Sequence, residues 1–154
     1  MDCTFRTADP DEIDKLLMMR IEFVKDIHPE YDENKINELK TGSYKYIKEH
    51  MQNNSYTGFF GEVNNEIVCS TSLLIYTYPP LYSSEYRKIG HVLNFYTRKK
   101  FRNLGYGKAM MECVKEYGKA YDFYRLDLSA TEAGYPLYRK CGFRDSERIM
   151  DYEL

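Results

Sequence analysis

The chain has 154 residues, of which 43% are hydrophobic and 30% charged, and its formal net charge is −2. This length and composition predict one soluble globular domain over residues 1–154, large enough to bury its own core. The near-neutral charge argues against a general nucleic-acid or membrane-surface binder, and no apolar run is long enough to cross a bilayer.

A short strand and an amphipathic helix are predicted first. Thr4–Thr7 is compatible with a strand. The next residues carry the signals of a helix start, with Asp9 as the N-cap, Pro10 at the first helical position and Glu12 at the capping-box position. Apolar residues then recur on one face, and Pro29 ends the helix.

A second helix and two strands are predicted next. The helix runs from about Glu33 to Met51, with Gly42 breaking or kinking it. Tyr56–Val63 and Glu66–Tyr78 are rich in strand-forming residues. Asn64-Asn65 joins them as a two-residue hairpin turn, because asparagine tolerates positive φ.

The C-terminal half predicts three more strands and two more helices. Lys88–Thr97 is expected to be a central strand, because both its faces carry bulky residues. A helix with one apolar face starts at Tyr106. The remaining elements are a strand, a short helix capped by Gly142 and a last strand, at Phe123–Leu128, Glu132–Cys141 and Phe143–Tyr152.

The predicted order of elements is β-α-α-β-β-β-α-β-α-β. Sequential strands favour antiparallel pairs, and the strand–helix–strand unit in the second half implies one parallel crossover. The sequence therefore predicts an α/β (α+β) fold with one mixed central sheet and helices on both faces.

Cysteine and histidine usage limits the chemistry of the chain. The four cysteines form no C-x-x-C pair and lie in apolar or periodic segments, which predicts reduced, buried thiols. The N-terminus has no apolar signal segment, so a cytoplasmic protein is expected. The three histidines show no ligand spacing, and no metal site is expected.

The segment Thr97–Lys108 joins the central strand to the next helix and contains Gly105 and Gly107. Glycine lets the backbone approach a ligand closely. A helix N-terminus offers unsatisfied N–H groups and the positive end of the helix dipole. The segment is therefore predicted to bind an anion, most often a phosphate group.

Three phosphate-binding patterns compete for this segment. A P-loop requires G-x-x-x-x-G-K-[ST], but Arg102 replaces the first glycine and Ala109 replaces the hydroxyl residue. A dinucleotide fingerprint requires G-x-G-x-x-G, but Met110 takes the third position. The third pattern, R-x-x-G-x-G, is met by Arg102, Gly105 and Gly107.

The flanking segments make this pattern more specific. Leu93-Asn94-Phe95-Tyr96-Thr97 precedes it, and Leu126–Thr131 and Gly134–Phe143 follow it. Together these segments resemble the GNAT superfamily of acetyl-CoA-dependent N-acetyltransferases, in detail over residues 90–154 and only in element order over residues 1–89. The resemblance implies acetyl transfer from acetyl-CoA to a primary amine of a small molecule or peptide, by direct attack in a ternary complex.

The resemblance also implies which residues bind the cofactor. The pyrophosphate loop of the family falls on Arg102–Gly107, ahead of the helix N-terminus. The strand before it would offer backbone groups to the pantetheine arm, and Thr131 stands where many members carry an asparagine that contacts the cofactor. The residues implied for acetyl-CoA are Phe95, Tyr96, Thr97, Arg102, Asn103, Leu104, Gly105, Tyr106, Gly107, Lys108 and Thr131.

Tyr138 falls on the tyrosine that is often assigned as the general acid of the family. The thiolate of CoA resembles a thiol of pKa about 8.5, and tyrosine ionises near pH 10. Proton transfer then costs about 2 kcal/mol with unperturbed values, so Tyr138 is a credible acid. The alternative is a tyrosine packed against the sheet. A backbone N–H of Phe95–Thr97 could hold the oxyanion.

The sequence assigns no general base. A lysine-like acceptor costs roughly 4.6 kcal/mol to deprotonate at pH 7, and an α-amine about 1 kcal/mol, so the need depends on the acceptor. His91 and Glu85 are candidates, although His91 is more often a packed strand residue and Glu85 more often solvated. Asn94 can orient an amine but cannot take its proton.

The acceptor site of the family lies between the N-terminal helices and the central loops. In this chain, the corresponding residues are Phe23, Asp26, Glu30, Tyr31 and the loop Pro79–Tyr86. Asp26, Glu30, Asp32 and Glu33 would suit a cationic acceptor. A solvated acidic helix end explains them equally well.

Two other functions stay open at this level. A non-catalytic CoA-sensing or partner-binding domain on the same fold is compatible with the absence of an obvious base. Nucleic-acid binding rests only on the basic run Arg98–Arg102, and the net charge opposes it. A homodimer through the last strand or the Tyr-rich loop is conceivable, but nothing in the sequence fixes it.

Overall fold

Five strands form one sheet in the computed structural model, which describes residues 3–80, 85–146 and 152–153. Neighbours in the sheet follow chain order, with β1 to β4 antiparallel and β5 parallel to β4. The predicted antiparallel pairs and the single parallel crossover are confirmed. The strands are β1 Thr4–Thr7, β2 Tyr56–Val63, β3 Glu66–Tyr78, β4 Arg87–Thr97 and β5 Arg125–Leu128.

Four α-helices cover the sheet. They are α1 Ile13–Ile27, α2 Glu33–Gln52, α3 Tyr106–Ala120 and α4 Tyr135–Lys140, and a 3-10 turn at Lys99–Phe101 precedes α3. The adjacent Phe59 and Phe60 are at most 1% exposed and belong to different cores. Phe59 packs with residues of α3, and Phe60 packs with residues of α1 and α2. The predicted mixed sheet with helices on both faces is therefore confirmed.

The hairpin between β2 and β3 matches its prediction. Asn64 and Asn65 have φ of 49° and 62°, as a two-residue turn of this kind requires. Gly142 has φ of 89° directly after α4, which confirms the predicted helix cap. The predicted last strand is not seen at residues 143–146, and residues 147–151 lie outside the described part of the chain.

Helix α1 starts later than the sequence indicated. Its N-cap is Glu12, and Asp9 and Pro10 belong to a preceding turn closed by Glu12 N–H and the Asp9 carbonyl, 3.0 Å apart. One half of the predicted capping box remains, because Asp9 N–H donates to Glu12 Oε2 at 2.9 Å. Arg6 from β1 holds the same carboxylate through two hydrogen bonds of 2.6 and 2.8 Å, which fixes the turn ahead of the helix.

The predicted break at Gly42 is wrong, because α2 is continuous from Glu33 to Gln52. Ile36, Ser43 and Ile47 are buried on either side of Gly42 and hold the helix against its neighbours. A Cβ added to Gly42 would meet no atom within 4 Å. Packing thus outweighs the cost of about 1 kcal/mol for a glycine inside a helix.

The cysteines are all free. Cys69 and Cys141 are buried, and Cys3 and Cys113 are partly buried. Burial raises the pKa of the Cys69 thiol to about 12, so it is protonated at neutral pH. Within the described residues, no helix combines the length and apolarity that a membrane span needs.

Glu12→Gln is expected to lower the free energy of unfolding at pH 7 by about 2 kcal/mol, since it weakens charged hydrogen bonds. Arg6 holds the pKa of the Glu12 carboxyl far below its usual value of 4.5. A lowered native pKa contributes stability above about pH 4.5, and this contribution shrinks as the pH falls. Thermal unfolding should show the difference between wild type and variant narrowing from pH 7 to pH 3.

The control for this variant is Asp11→Asn, which removes a charge from an exposed neighbour in the same turn. It should change the melting temperature little at either pH. A Glu12→Gln difference that stays constant with pH would contradict the assigned ion pair.

Candidate active site

A slot opens where β4 and β5 part. Their pairing runs from Ile89 and Arg125 to Val92 and Leu128, whereas β4 continues to Thr97. In the described part of the chain, no strand pairs with the β5 side of β4 beyond Val92. The backbone groups on that edge are thus available to a ligand.

A bulge shapes β4 beside this slot. Ser72 pairs with Leu93 and Ser70 with Tyr96, so two residues of β4 oppose one residue of β3. Asn94, inside the bulge, has φ of 52°. Bulges of this kind disrupt the strand ladder locally and redirect backbone groups.

The start of α3 has the geometry of an anion site. Asn103 and Gly105 have φ of 63° and 87°, which turns the chain into the helix. The first hydrogen bond of α3 joins Ala109 N–H to the Gly105 carbonyl at 3.1 Å. The amides of Tyr106, Gly107 and Lys108 precede it and have no acceptor within the helix. This is the arrangement that binds phosphate groups at helix N-termini.

Gly107 brings the helix start, the slot and α4 together. A Cβ on Gly107 would lie 3.3 Å from Leu137 Cδ2, 3.6 Å from Phe95 Cε1 and 3.7 Å from Thr97 Oγ1. The residue therefore lets α3 approach both β4 and α4 closely. Four of the predicted cofactor and catalytic residues, Phe95, Thr97, Gly107 and Tyr138, lie in or next to this junction.

Tyr138 lies on α4 and is half-buried. Its ring packs edge-on against Phe95 of β4 at 5.8 Å and against Phe143 at 6.0 Å. Burial raises the pKa of the Tyr138 hydroxyl above its usual value. The hydroxyl is therefore protonated across the physiological range, but it is a weaker acid than an ordinary tyrosine.

Arg102 is bound to the protein itself. Its Nε donates to the Thr97 carbonyl at 2.9 Å, and its Nη2 pairs with the Asp26 carboxylate of α1. Lys99 pairs with the same carboxylate. The two cations lower the pKa of Asp26, with Lys99 the larger cause. The loop before α3 is thus fastened to the C-terminal half of α1.

The basic run Arg98–Arg102 is also paired within the protein. Arg98 forms hydrogen bonds of 2.7 and 2.8 Å with Glu22, and Lys100 pairs with Glu66 at 2.7 Å. Its cationic groups therefore each face a carboxylate of the chain, as Lys99 and Arg102 do.

The other predicted cofactor residues differ in their positions. The Tyr96 side chain is buried on the α1 side of the sheet against Phe23, so only its backbone belongs to the slot. Thr131 Oγ1 accepts a hydrogen bond from Gly134 N–H at 3.2 Å, in the turn before α4. Asn103, Leu104 and Lys108 are exposed around the helix start.

His91 and Asp127 form a pair that the sequence reasoning did not identify. His91 Nδ1 lies 2.6 Å from Asp127 Oδ1, and the Tyr76 hydroxyl donates to Asp127 Oδ2 at 2.9 Å. Because a carboxylate only accepts, Nδ1 is the donor in this contact, and in the neutral imidazole Nε2 then keeps its lone pair. The parallel register of β4 and β5 could have revealed this pair. Glu85, the other candidate base, is exposed.

A cavity of about 490 Å³ lies between α1, α2, β2 and the bulge of β4. Arg20 Nε donates to Ser43 Oγ at 3.0 Å, and Arg20 Nη1 donates to Asn94 Oδ1. The Tyr56 hydroxyl donates to Ser72 Oγ at 2.6 Å and lies 3.4 Å from Asn94 Nδ2. Sequence reasoning missed Arg20, Ser43 and Tyr56. A glycine inside the α2 pattern was the available signal, because Gly42 lines this cavity.

The acceptor residues expected from the sequence do not line this cavity. Asp26 pairs with Lys99 and Arg102, as described above. The Glu30 carboxylate lies 3.0 Å from His28 Nδ1, and the Tyr31 ring stacks on the His28 ring with 4.6 Å between the ring centroids. Asp32 caps α2 by accepting from Lys35 N–H at 2.8 Å. Each of these carboxylates thus has a partner within the chain. The loop Pro79–Tyr86 lies partly outside the described residues.

A larger cavity, of about 810 Å³, lies between β5, α3 and α4 and includes Tyr138, Cys141 and Phe143. Its wall is described only as far as Ser146. The candidate site comprises the loop before α3, the junction of Gly107, Phe95 and Tyr138, the bulge of β4 and the smaller cavity.

A family model and a curated protein match the sequence. The model of the acetyltransferase (GNAT) family matches residues 22–143. A glucosamine 6-phosphate N-acetyltransferase from Trypanosoma brucei brucei is 31% identical over 96 residues. That match covers 62% of this chain and 63% of the relative, so the chain spans less than two thirds of the relative's length.

Solved structures share the fold over nearly the whole chain. A predicted acetyltransferase from Clostridium acetobutylicum, solved with acetyl-CoA, superposes with a TM-score of 0.83 at 23% identity, covering 99% of this chain and 96% of that one. A GCN5-related N-acetyltransferase from Ralstonia eutropha JMP134 superposes with a TM-score of 0.81 at 20% identity, covering 99% of both. At these identities, the likeness establishes the fold.

Proposed function

The chain belongs to the acetyltransferase (GNAT) family, and we propose that it is an acyltransferase, which moves the acetyl group of acetyl-CoA to a primary amine by direct attack in a ternary complex. The acceptor is a small molecule or a peptide. The observation that carries the proposal is the junction at Gly107, where the phosphate-type helix start, the open edge of β4 and Tyr138 meet.

The residues of this junction fit the cofactor of the family. The free amides from Tyr106 to Lys108 suit a diphosphate, which is one of the anionic groups of CoA. The unpaired edge of β4 from Phe95 to Thr97 suits the amide groups of the pantetheine arm. The Arg102 side chain pairs with Asp26 and donates to the Thr97 carbonyl, so it holds the loop that carries these amides.

In the proposed reaction, β4 and α4 have different roles. Bound acetyl-CoA supplies an acetyl thioester. A backbone N–H at the β4 bulge stabilises the negative charge that develops on the carbonyl oxygen. The amine nitrogen would bond to the carbonyl carbon as the C–S bond breaks, and the Tyr138 hydroxyl would donate its proton to the departing sulfur. The proton lost by the nitrogen leaves through water, and the Tyr138 oxygen regains a proton from water. The raised pKa of Tyr138 makes this donation less favourable than from an ordinary tyrosine, so it follows the development of charge on the sulfur.

His91 is the base candidate that the geometry favours over Glu85. Asp127 holds the proton on Nδ1, so Nε2 can accept another. His91 precedes Asn94 by three residues, about 10 Å along a strand. The proton of an amine at the bulge therefore reaches His91 through water.

The first test is binding and turnover by the purified protein. Acetyl-CoA at 100 times its Kd adds about 2.7 kcal/mol of stability, which corresponds to a melting temperature raised by about 5–10 °C for a domain of this size. Pantetheine, which lacks the diphosphate, should give a smaller shift. Thiol release from acetyl-CoA in the presence of a panel of amines then measures transfer.

Two results would count against the proposal. No thermal shift at saturating acetyl-CoA and CoA would contradict cofactor binding. A clear shift without thiol release from any amine in the panel would contradict transfer and leave only cofactor binding.

A further inference from the structure

We propose that the acceptor amine of this chain also carries an anionic oxygen group, a carboxylate or a phosphate, which Arg20 binds in the 490 Å³ cavity. This inference rests on the proposed acetyl transfer. It names the chemical class of the second substrate, which the family alone leaves open.

Arg20 is a cation whose hydrogen-bond partners are neutral groups. Its Nε is bonded to the Ser43 hydroxyl and its Nη1 to the Asn94 side-chain oxygen. Among the residues that the structure describes, it forms no ion pair, and its Nη2 makes no hydrogen bond. Arg98 and Arg102, in contrast, each face a carboxylate of the protein. A guanidinium that keeps a free N–H and an uncompensated charge is suited to a carboxylate or phosphate.

Arg20 gives the inner wall of the cavity a positive charge. Of the described lining residues, only Arg20 and Glu38 are charged, and Glu38 is exposed on α2. Ser43 and Tyr56 at the inner end are buried and neutral. Burial raises the pKa of Tyr56, and the charge of Arg20 opposes that rise, so the positive field reaches the buried hydroxyl. A cationic group would be repelled at this wall.

The anion subsite adjoins the reaction site. Arg20 is bonded directly to Asn94, the residue at positive φ in the β4 bulge. An anion on Arg20 therefore lies one side chain away from the backbone that faces the thioester in the proposed reaction. The same positive charge also favours the neutral form of a nearby amine. This effect lowers the demand on a general base.

The experiment compares amines in pairs that share a skeleton and differ in the anionic group, with kcat/KM calculated per unprotonated amine. Glycine is compared with glycinamide, and glucosamine 6-phosphate with glucosamine. The protein with saturating acetyl-CoA should use the anionic member of at least one pair with a kcat/KM about 10–100-fold higher. The first pair tests a carboxylate and the second a phosphate, so the preferred pair identifies the anion.

Arg20→Gln tests the residue itself. The variant should lower kcat/KM for the preferred anionic amine about 10–100-fold more than for its neutral partner, whose smaller loss reports the broken bond between Arg20 and Asn94. Arg20→Lys should recover part of the loss, because it keeps the charge without the planar fork. Lys48→Gln is the control, since it removes the same charge from an exposed position on α2 outside the cavity.

Each contrary outcome is distinct. Equal use of the charged and neutral members would overturn the anion subsite and leave acetyl transfer intact. An equal loss for both members in Arg20→Gln would assign Arg20 to positioning Asn94 and would also overturn the subsite. Absence of thiol release with all four amines would overturn this inference together with the proposed transfer to such acceptors.

Discussion

Tyr138→Phe is expected to lower kcat about 10²–10⁴-fold, the range that a general acid contributes. The Kd for acetyl-CoA should stay within about twofold, because the substitution keeps the ring that packs on Phe95 and Phe143. Without the hydroxyl, the departing thiolate must take its proton from water. Steady-state thiol release and a separate binding titration distinguish the two effects.

The matched control is Tyr135→Phe, on the same helix. Tyr135 is exposed, and its hydroxyl donates to Asp145 at 2.9 Å. Its loss should change kcat little. A Tyr138→Phe enzyme with unchanged kcat would exclude Tyr138 as the acid, and a large rise in Kd would point to a binding role instead.

Asn94→Ala is expected to lower kcat/KM about 10²-fold, the cost of losing or displacing one oxyanion donor. Two causes contribute. The side-chain bond to Arg20 and the contact with Tyr56 disappear, and alanine tolerates φ of 52° less well than asparagine. Both changes loosen the bulge that aims the backbone of β4 into the slot.

Asn94→Gly separates these causes, because glycine also lacks the side chain but adopts positive φ freely. We expect it to lose about 10-fold in kcat/KM, less than Asn94→Ala. Equal losses would assign the effect to the side-chain contacts alone. If both variants kept wild-type activity, the bulge would not be the oxyanion site. Thermal unfolding of each variant would show whether the fold is retained.

Local patterns predicted the elements well because their causes are local. The bounds of β2 and β3 match the sequence prediction, and alternating strand-forming residues with the Asn64-Asn65 turn are enough to fix them. The start of α3 at Tyr106 also matches, because Gly105 adopts the backbone conformation that the chain needs to enter the helix.

The sequence predictions failed where contacts with residues distant in the sequence determine the local structure. Arg6 of β1 takes the Glu12 carboxylate and so delays the start of α1. Gly42 continues a helix that the glycine propensity alone would break, because buried neighbours hold it.

The candidate site was only half predictable for the same reason. The motif predicted that the loop before α3 and Tyr138 belong to one site, and the structure brings Gly107 and Tyr138 to the same junction at Phe95. The cavity around Arg20 takes its walls from α1, α2, β2 and β4, so no single segment reveals it. The pairing of Asp26 with Arg102 joins residues 76 positions apart, which no local pattern predicts.

Helix α1 connects the two proposed ligand sites. It presents Arg20 to the 490 Å³ cavity and Asp26 to the loop that precedes α3. These residues are six positions apart, about 9 Å along one rigid helix. A phosphate group that draws Arg102 away from Asp26 therefore alters the restraint on the helix that carries Arg20. Cofactor and acceptor binding are expected to be thermodynamically linked, each changing the Kd of the other by the same factor.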